Sequence, residues 1–490
     1  MLDILDHLRE HPPRKGPEWG SGGIFGLKYH RGILYYTLSF EAEAYFIDRE
    51  GLRKKYEFEL VGPKPTSGGD TYNAVEAVDE KIYFGGWVHA PAIYRGKNEL
   101  GATIDFSNKY SHLHYYDIED DEIGLLWKES MHDPERWVGE VSEIIYNPYM
   151  DELLIARADG YTNLGVYSID RGGGEFKKLA DKPALKGSIV LDHACFAIHQ
   201  YPSGLRGIEC IDLIDHKINT VEYNYKEISV DGEDVVNPQV GSVASAYGKI
   251  FIFARGGFVV GDIIDNEYYF IRLFDIPNSM FSPLRVNTKV FGGGLLTSYN
   301  AYVHSVIHAR EDRDKIIKRS LNTIVSPSLL VYFTPPTIKV VGTLGARVTS
   351  IEVVKDKIVV GCNTMANTGR YDSAPFDQGV RTFTILSQDI IYNQQPITMG
   401  IPGYIIENKV FGGIPLTGYR EPRLIVYSNK ENEILVNEYI ASIPPQLITT
   451  DKHTLTPGRN IVDLTSYSGI VSFKLKKFMN EKDYIVIDLK

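Results

Sequence analysis

His112 and His114, in the string SHLHYY, lie two residues apart, which on a β-strand puts both imidazoles on one face. With His132 and His193, or with His89, they are candidate ligands of a three-histidine centre. Neutral imidazole binds zinc, copper or iron, and a fourth position left open would hold water. The plainer role of such a pair is partial burial with hydrogen bonds to backbone, because 13 histidines in 490 residues make an HxH string unremarkable. Carboxylates offer a second chemistry. FEAEAYF places Glu41 and Glu43 on one face of an expected strand, where two close acids split their pKa values and can serve as acid and base. Glu140, Asp70 and Asp159 are the candidate catalytic carboxylates contributed by other segments. A solvated or arginine-paired strand face is the competing role. Trp87, Trp137 and Arg157 are the candidate ligand-binding residues. Indole faces, Trp19 included, can cover the apolar side of a sugar while carboxylates accept its hydroxyl protons, although packing between sheets is the commoner work of tryptophan. ARADGYTN, from Ala156, reads as a loop in which Arg157 and Asp159 pair.

Several familiar chemistries are not supported. The GGG strings at Gly172–Gly174 and Gly292–Gly294 lack the Lys-Ser/Thr and helix that a phosphate-cradling loop needs. No G-x-S-x-G stands between a strand and a helix, so a Ser-His-Asp hydrolase has no nucleophile elbow. Cys195, Cys210 and Cys362 are odd in number and without CxxC spacing, which leads to an expectation of buried free thiols. The 52 Lys and Arg against 63 Asp and Glu give a net charge of −11 without a basic block, and phosphate neutralisation needs clustered positive charge. General nucleic-acid binding and an anionic membrane surface are therefore not expected. Charged residues interrupt the first 14 positions as no signal peptide allows, and no stretch reaches the roughly 18 apolar residues of a membrane helix. The expected location is the cytoplasm.

The elements that must hold these groups are short strands. One pattern returns along the chain: an apolar run, a tight polar turn, and a second run ending in a small residue. It reads GLKYHRGILYYTL from Gly26, NAVEAVDEKIYFGG from Asn73, SEIIYNPYMDELLIA from Ser142, SVASAYGKIFIFA from Ser242, RVNTKVFGGGLLTS from Arg285, SIEVVKDKIVVG from Ser350 and GYIIENKVFGG from Gly403. A divergent copy, GSIVLDHACFAIH, starts at Gly187. Third strands such as AEAYFIDREG, SHLHYYDIEDDE and LGVYSIDRGGG follow, then a more polar fourth. Four antiparallel strands recurring at this period make a propeller blade, and one blade cannot bury both faces alone. The expected fold is all-β, a seven- or eight-bladed β-propeller with a short C-terminal β extension. Residues 1–22 are a leading segment, 23–440 the propeller, and 441–490 an extension or strands that close a blade. Two or three separate β-sandwiches are the competing architecture. Helical pattern is confined to Leu2–Glu10 and Arg310–Arg319.

The strings PEWGSGGIFGL from Pro17, FEAEAYFID from Phe40, GGDTYNAVEAV from Gly68, FGGWVHAPA from Phe84 and WVGEVSEIIYNPYMDELLIARADG from Trp137 resemble an archaeal family of uncharacterised β-propellers, most clearly over the first 200 residues. The resemblance implies a propeller in an archaeal cytoplasm and supplies no substrate, cofactor or catalytic residue. From the residues, the leading expectation is a binding or interaction protein that holds a protein or small-molecule ligand at its axial top face, where one loop per blade converges. The alternative is an enzyme with an axial His/carboxylate pocket built around a transition metal.

Overall fold

The computed structural model describes residues 3–12, 23–39, 41–59, 67–69, 72–89, 93–98, 101–105, 109–130, 136–200, 204–222, 238–277, 281–300, 326–364, 380–406, 408–477 and 479–490. Among them, seven antiparallel sheets follow one another along the chain, spanning 24–57, 67–130, 140–180, 184–222, 240–272, 289–344 and 347–387. The first strand of each packs against the first strand of the next, and the first strand of the seventh packs against that of the first. This closed ring is the β-propeller, and its sheets are blades 1 to 7.

Strand composition follows position in the blade. Second strands such as ILYYTL (Ile33–Leu38) and KIFIFA (Lys249–Ala254) are buried almost throughout, because neighbouring blades cover both faces and leave no polar side to alternate with. Fourth strands such as GLRKKYE (Gly51–Glu57) and INTVE (Ile218–Glu222) form the half-exposed rim. Five third strands end on an aspartate, and in four of them, Asp48, Asp117, Asp212 and Asp262, its Oδ1 accepts backbone N–H groups two and three residues on. That Asx turn sends the chain into the fourth strand, and it explains the recurring FID, YYD, CID and VGD strings.

Blade 7 has three described strands. The free side of its third strand is met by His11, which exchanges two backbone hydrogen bonds with Arg381 at 2.8 and 3.1 Å. The preceding 3-10 turn, Ile4–His7, packs on blade 1. The N-terminal segment thus straddles the seam between blades 7 and 1, with the Glu41–Arg381 ion pair at 3.1 Å beside it. The helix expected over Leu2–Glu10 is this short turn, and Arg310–Arg319 lies outside the described residues.

Strands from Ile397 onward form two four-stranded sheets among the described residues, joined to the ring by one bridge between Gly412 and Asp275. Ile397–Pro402 and Arg423–Ser428 flank the terminal Tyr484–Leu489, and Phe411–Pro415 and Asn432–Ile440 flank Ile470–Leu475. The expected boundary at 440 therefore moves to before Ile397, and the C-terminal strands close no blade. GYIIENKVFGG, expected as a blade hairpin, supplies a 3-10 turn and one strand of this module. The module docks on blades 5 and 6: Gly412 and Gly413 bond the backbone of Phe274 and Asp275, Tyr439 Oη donates to Arg272 O at 2.6 Å, and one apolar core runs across the junction. Gly413, at φ +67, lies so close to Arg272 and Leu273 that a Cβ would meet their backbone at 2.7 Å.

A second correction concerns the thiols. Cys195 and Cys210 are direct cross-strand partners in blade 4 and are joined as a disulfide, while Cys362 is a buried free thiol. Strand pairing, absent from linear spacing, is what brings the two together. No helix among the described residues is long and apolar enough to cross a membrane. Because the disulfide closes a segment with a sequence separation of 15 residues, its loss should cost about 3 kcal/mol. The C195A/C210A variant is expected to unfold at correspondingly lower denaturant in equilibrium titration, and an unchanged midpoint would contradict this.

Candidate functional site

Inner strands of adjacent blades face each other without forming a ladder, so their backbone groups need other partners. Bulges interrupt the pairing of the inner strand in blades 1, 3, 4, 5 and 7, and side chains from neighbouring blades reach the exposed groups. Thr349 Oγ1 accepts from Ile24 N, Ser350 Oγ accepts from Leu27 N, and Ser142 Oγ donates to Ala184 O. Ion pairs span three interfaces along the same belt: Lys28–Glu76, Lys186–Glu143 and Lys289–Glu352, each at 2.8–2.9 Å. Asn73 closes the axis. Its side chain accepts from Gly26 N and donates to Arg285 O and Thr349 O, tying four blades together.

Above this plug, at the end where the inner strands begin, lies the candidate site. Arg285 precedes blade 6, yet its Nη2 is 2.8 Å from Asp159 Oδ2 in the loop of blade 3. Its guanidinium also stands 4.0 Å over the ring of Tyr72, which leads into blade 2, and Tyr72 Oη donates to Asp159 at 2.7 Å. Groups on nearly opposite blades can touch only at the axis. Burial works to raise the Asp159 carboxyl, but Arg285, the Tyr72 hydroxyl and Lys109 outweigh it and hold the group below its usual range. Arg285 and Asp159 remain 35% and 31% exposed.

Lys109 begins the third strand of blade 2 and is buried. Its Nζ sits 3.1 Å from the ring centre of Trp87 and 4.0 Å from that of Trp137, a cation–π arrangement worth about 2 kcal/mol in a desolvated setting. Burial pulls its pKa well down against the opposing charges of Glu140 and Asp159. Trp87 Nε1 donates to Val138 O at 3.1 Å, fixing the box. Buried Glu140 opens the inner strand of blade 3, and its charge acts on Tyr72, Lys109 and Arg285. His199, from blade 4, completes the rim with Gln239 at 2.7 Å, and its pKa is lowered chiefly by burial.

The structure thus assembles Trp87, Trp137, Glu140 and Asp159 in one place. It does not place Arg157 with them. Arg157 pairs with Glu129 at 2.6 Å, bonds Gly139 O, and stacks 4.7 Å from Trp127 between blades 2 and 3, so the expected Arg157–Asp159 pair is replaced by Arg285–Asp159. His112 and His114 are adjacent, Nδ1 to Nδ1 at 2.9 Å, but they point into the core between blades 1 and 2 beside Phe58 and Phe84. His193 is at the opposite end of blade 4, bonded to Asp192 at 2.8 Å. These imidazoles share no cavity, and among the described residues no group of three or more His, Cys, Asp or Glu is arranged to hold a metal. Asp70, His132 and Trp19, with the His89 side chain, lie outside what is described. Glu41 and Glu43 do not share a strand face. Ala42, at φ +53, turns the chain between them, sending Glu41 to Arg381 and Glu43 to Lys55 and Tyr45. Tyr72, Lys109, Gln239 and Arg285 were not anticipated. Aligning the repeats at the start of each inner strand would have flagged Tyr72 and Arg285, which both occupy the approach to a blade.

Residues 34–371 match the family described as "Uncharacterized protein conserved in archaea (DUF2139)". The chain belongs to this family. No protein of curated function matches it. Among solved structures it is similar to Saccharomyces cerevisiae Sqt1, at 10% identity over 73% of this chain and 82% of that one with a TM-score of 0.39. It is also similar to the β-propeller domain of the Trilobed protease from Pyrococcus furiosus, at 12% identity over 70% and 91% of the two chains with a TM-score of 0.36.

In this DUF2139 protein the histidine pair has a structural role. His114 Nε2 lies 2.9 Å from Glu59 Oε2, and Tyr56 Oη donates to the same carboxylate. Burial works to raise Glu59, but these partners hold it down to about 2 from 4.5. A carboxyl depressed on folding stabilises the native state above its unfolded pKa, and that contribution is lost as pH falls through the folded value. Wild-type stability is therefore expected to drop between about pH 4.5 and 2 more steeply than that of Glu59→Gln, as followed by denaturant midpoint against pH. Parallel acid limbs would refute the assignment.

Proposed function

We propose that the protein is a binding module whose axial top face holds a small polyhydroxylated ligand of the carbohydrate class. The observation that carries this reading is the Arg285–Asp159 pair, which joins blades 6 and 3 across the axis and is still about one third exposed. The pair stands beside buried Tyr72 and Asn73, and its side chains are more open than those of Lys28–Glu76, Lys186–Glu143 or Lys289–Glu352. Hydroxyl-rich molecules need interleaved donors and acceptors beside a flat apolar face. Arg285 and the Gln239 amide are donor groups, Asp159 is an acceptor held ionised, and partly exposed Trp137 offers the face. The alternative of a metal-dependent axial enzyme draws no support from His112, His114 and His193, which stand apart from the Arg285–Asp159 pair.

The test is calorimetric titration of the full chain with a panel of mono- and disaccharides and linear polyols. A member of the panel is expected to bind, with affinity falling at least tenfold in Asp159→Asn, Arg285→Gln and Trp137→Ala while the thermal midpoint stays within a few degrees of wild type. Absence of binding across the panel, or equal binding by the three variants, would reject the reading.

A further inference from the structure

The opposite end of the ring, where inner strands finish, carries a second feature independent of the axial site. Bonds between turns of neighbouring blades show that these tips form one continuous face. Asn147 Nδ2 donates to Leu213 O at 2.9 Å from blade 3 to blade 4, Arg171 reaches Asp79 at 2.7 Å from blade 3 to blade 2, and Tyr247 Oη donates to Gly293 O from blade 5 to blade 6. On blades 3, 4 and 5 the tips present large apolar side chains to solvent: Tyr149 at 60% exposure, Met150 at 43%, Leu191 and Ile214 at 55%, Tyr247 at 52% and Ile264 at 75%. A cluster of this kind on one face is unusual for a surface with no partner.

Backbone geometry sharpens the point. The turn between first and second strands holds its leading residue in the left-handed region, which favours Gly, Asn or Asp and penalises bulky side chains. Blades 1, 2 and 7 place Arg31, Asp79 and Lys355 there, whereas blades 4 and 5 place Leu191 at φ +55 and Tyr247 at φ +56. Leu191 leaves more than half its surface in solvent, so burial offsets little of that cost.

Charge selects the occupant. Asp151, Asp215, Asp265 and Glu267 flank the apolar tips and are exposed, and Asp192 beside them is partly so. Arg171 is offset by Asp79 and Asp151, Lys217 by Asp215, and Lys249 by Asp262, so the face keeps an excess of acid, with Asp265 and Glu267 beyond those pairs. A second copy of the chain, itself at −11, would bring acid against acid, and an anionic bilayer would be repelled in the same way. We infer that this face docks a protein partner presenting aliphatic side chains set among lysines or arginines.

The experiment uses the full chain and a triple variant, Leu191→Asn, Tyr247→Asn and Ile264→Ser. The probes are an amphipathic Leu/Lys peptide, its Leu/Glu counterpart, and phosphatidylglycerol vesicles, with sedimentation of the protein alone alongside. Expected results are binding of the Leu/Lys peptide that weakens with salt and falls at least tenfold in the variant, and no binding of the Leu/Glu peptide. The Leu191→Asn single variant should unfold at the same temperature or higher, because asparagine suits the turn. The inference is overturned if the Leu/Lys peptide binds neither protein or both equally, if the wild type binds the vesicles, or if it self-associates through a contact that the variant abolishes.

Discussion

Strands that radiate from an axis cannot hydrogen-bond to their neighbours at the hub, and every special feature of this ring answers that constraint. The inner strands leave N–H and C=O groups facing sideways in an interior where an unmet polar group is costly. Short side chains meet them, Thr349 and Ser350 at the seam with blade 1 and Ser142 between blades 3 and 4, while Ser242 and Thr288 join hydroxyls at 2.5 Å between blades 5 and 6. Ion pairs serve other interfaces, and Asn73 ties four blades with one amide. Polar residues at the axis are thus part of what holds the blades in place, and a reading that assigned every such residue to catalysis would misjudge the molecule.

Against that background the Arg285–Asp159 pair is more open than the three inter-blade pairs, with Lys28–Glu76 next. Lys186 and Glu143 are mostly shielded, and burial acts to raise the Glu143 carboxyl while Lys186 opposes it, as in an interior pair. Asp159 is instead drawn below its usual range by partners on several blades. A carboxylate kept ionised at the axis, beside a guanidinium and a phenol, is equipped to recognise a polar molecule. Lys109, enclosed by Trp87 and Trp137, stiffens the wall between blades 2 and 3. The two ends of the ring therefore differ in chemistry, one a mixed-charge cluster and the other an apolar arc edged by acids.

Much of the architecture was legible from local pattern. The period of the hairpins gave the propeller, and third strands ending in FID, YYD, CID and VGD mark turns that the Asx geometry makes necessary. Among the site residues, Trp87, Trp137, Glu140 and Asp159 converge where loops were expected to meet. Arg157 and His114 were misassigned because their types suit ligand binding equally well, and burial against Trp127 or Phe84 is invisible in one dimension. Glu41 and Glu43 were separated by one residue, Ala42, adopting a left-handed φ that its type does not advertise.

The amino-acid order by itself determined the all-β class, the repeating unit and the acidic balance, since strand period, turn chemistry and charge are properties of short stretches. Tertiary structure alone decided which distant residues meet: Cys195 with Cys210 through strand register, Arg285 with Asp159 across the axis, and His11 with Arg381 at the seam. It also decided that the strands after Ile397 form their own module instead of another blade. Such contacts depend on ring closure and on how sheets pair, and those are settled by the free energy of the whole chain, not by any segment of it.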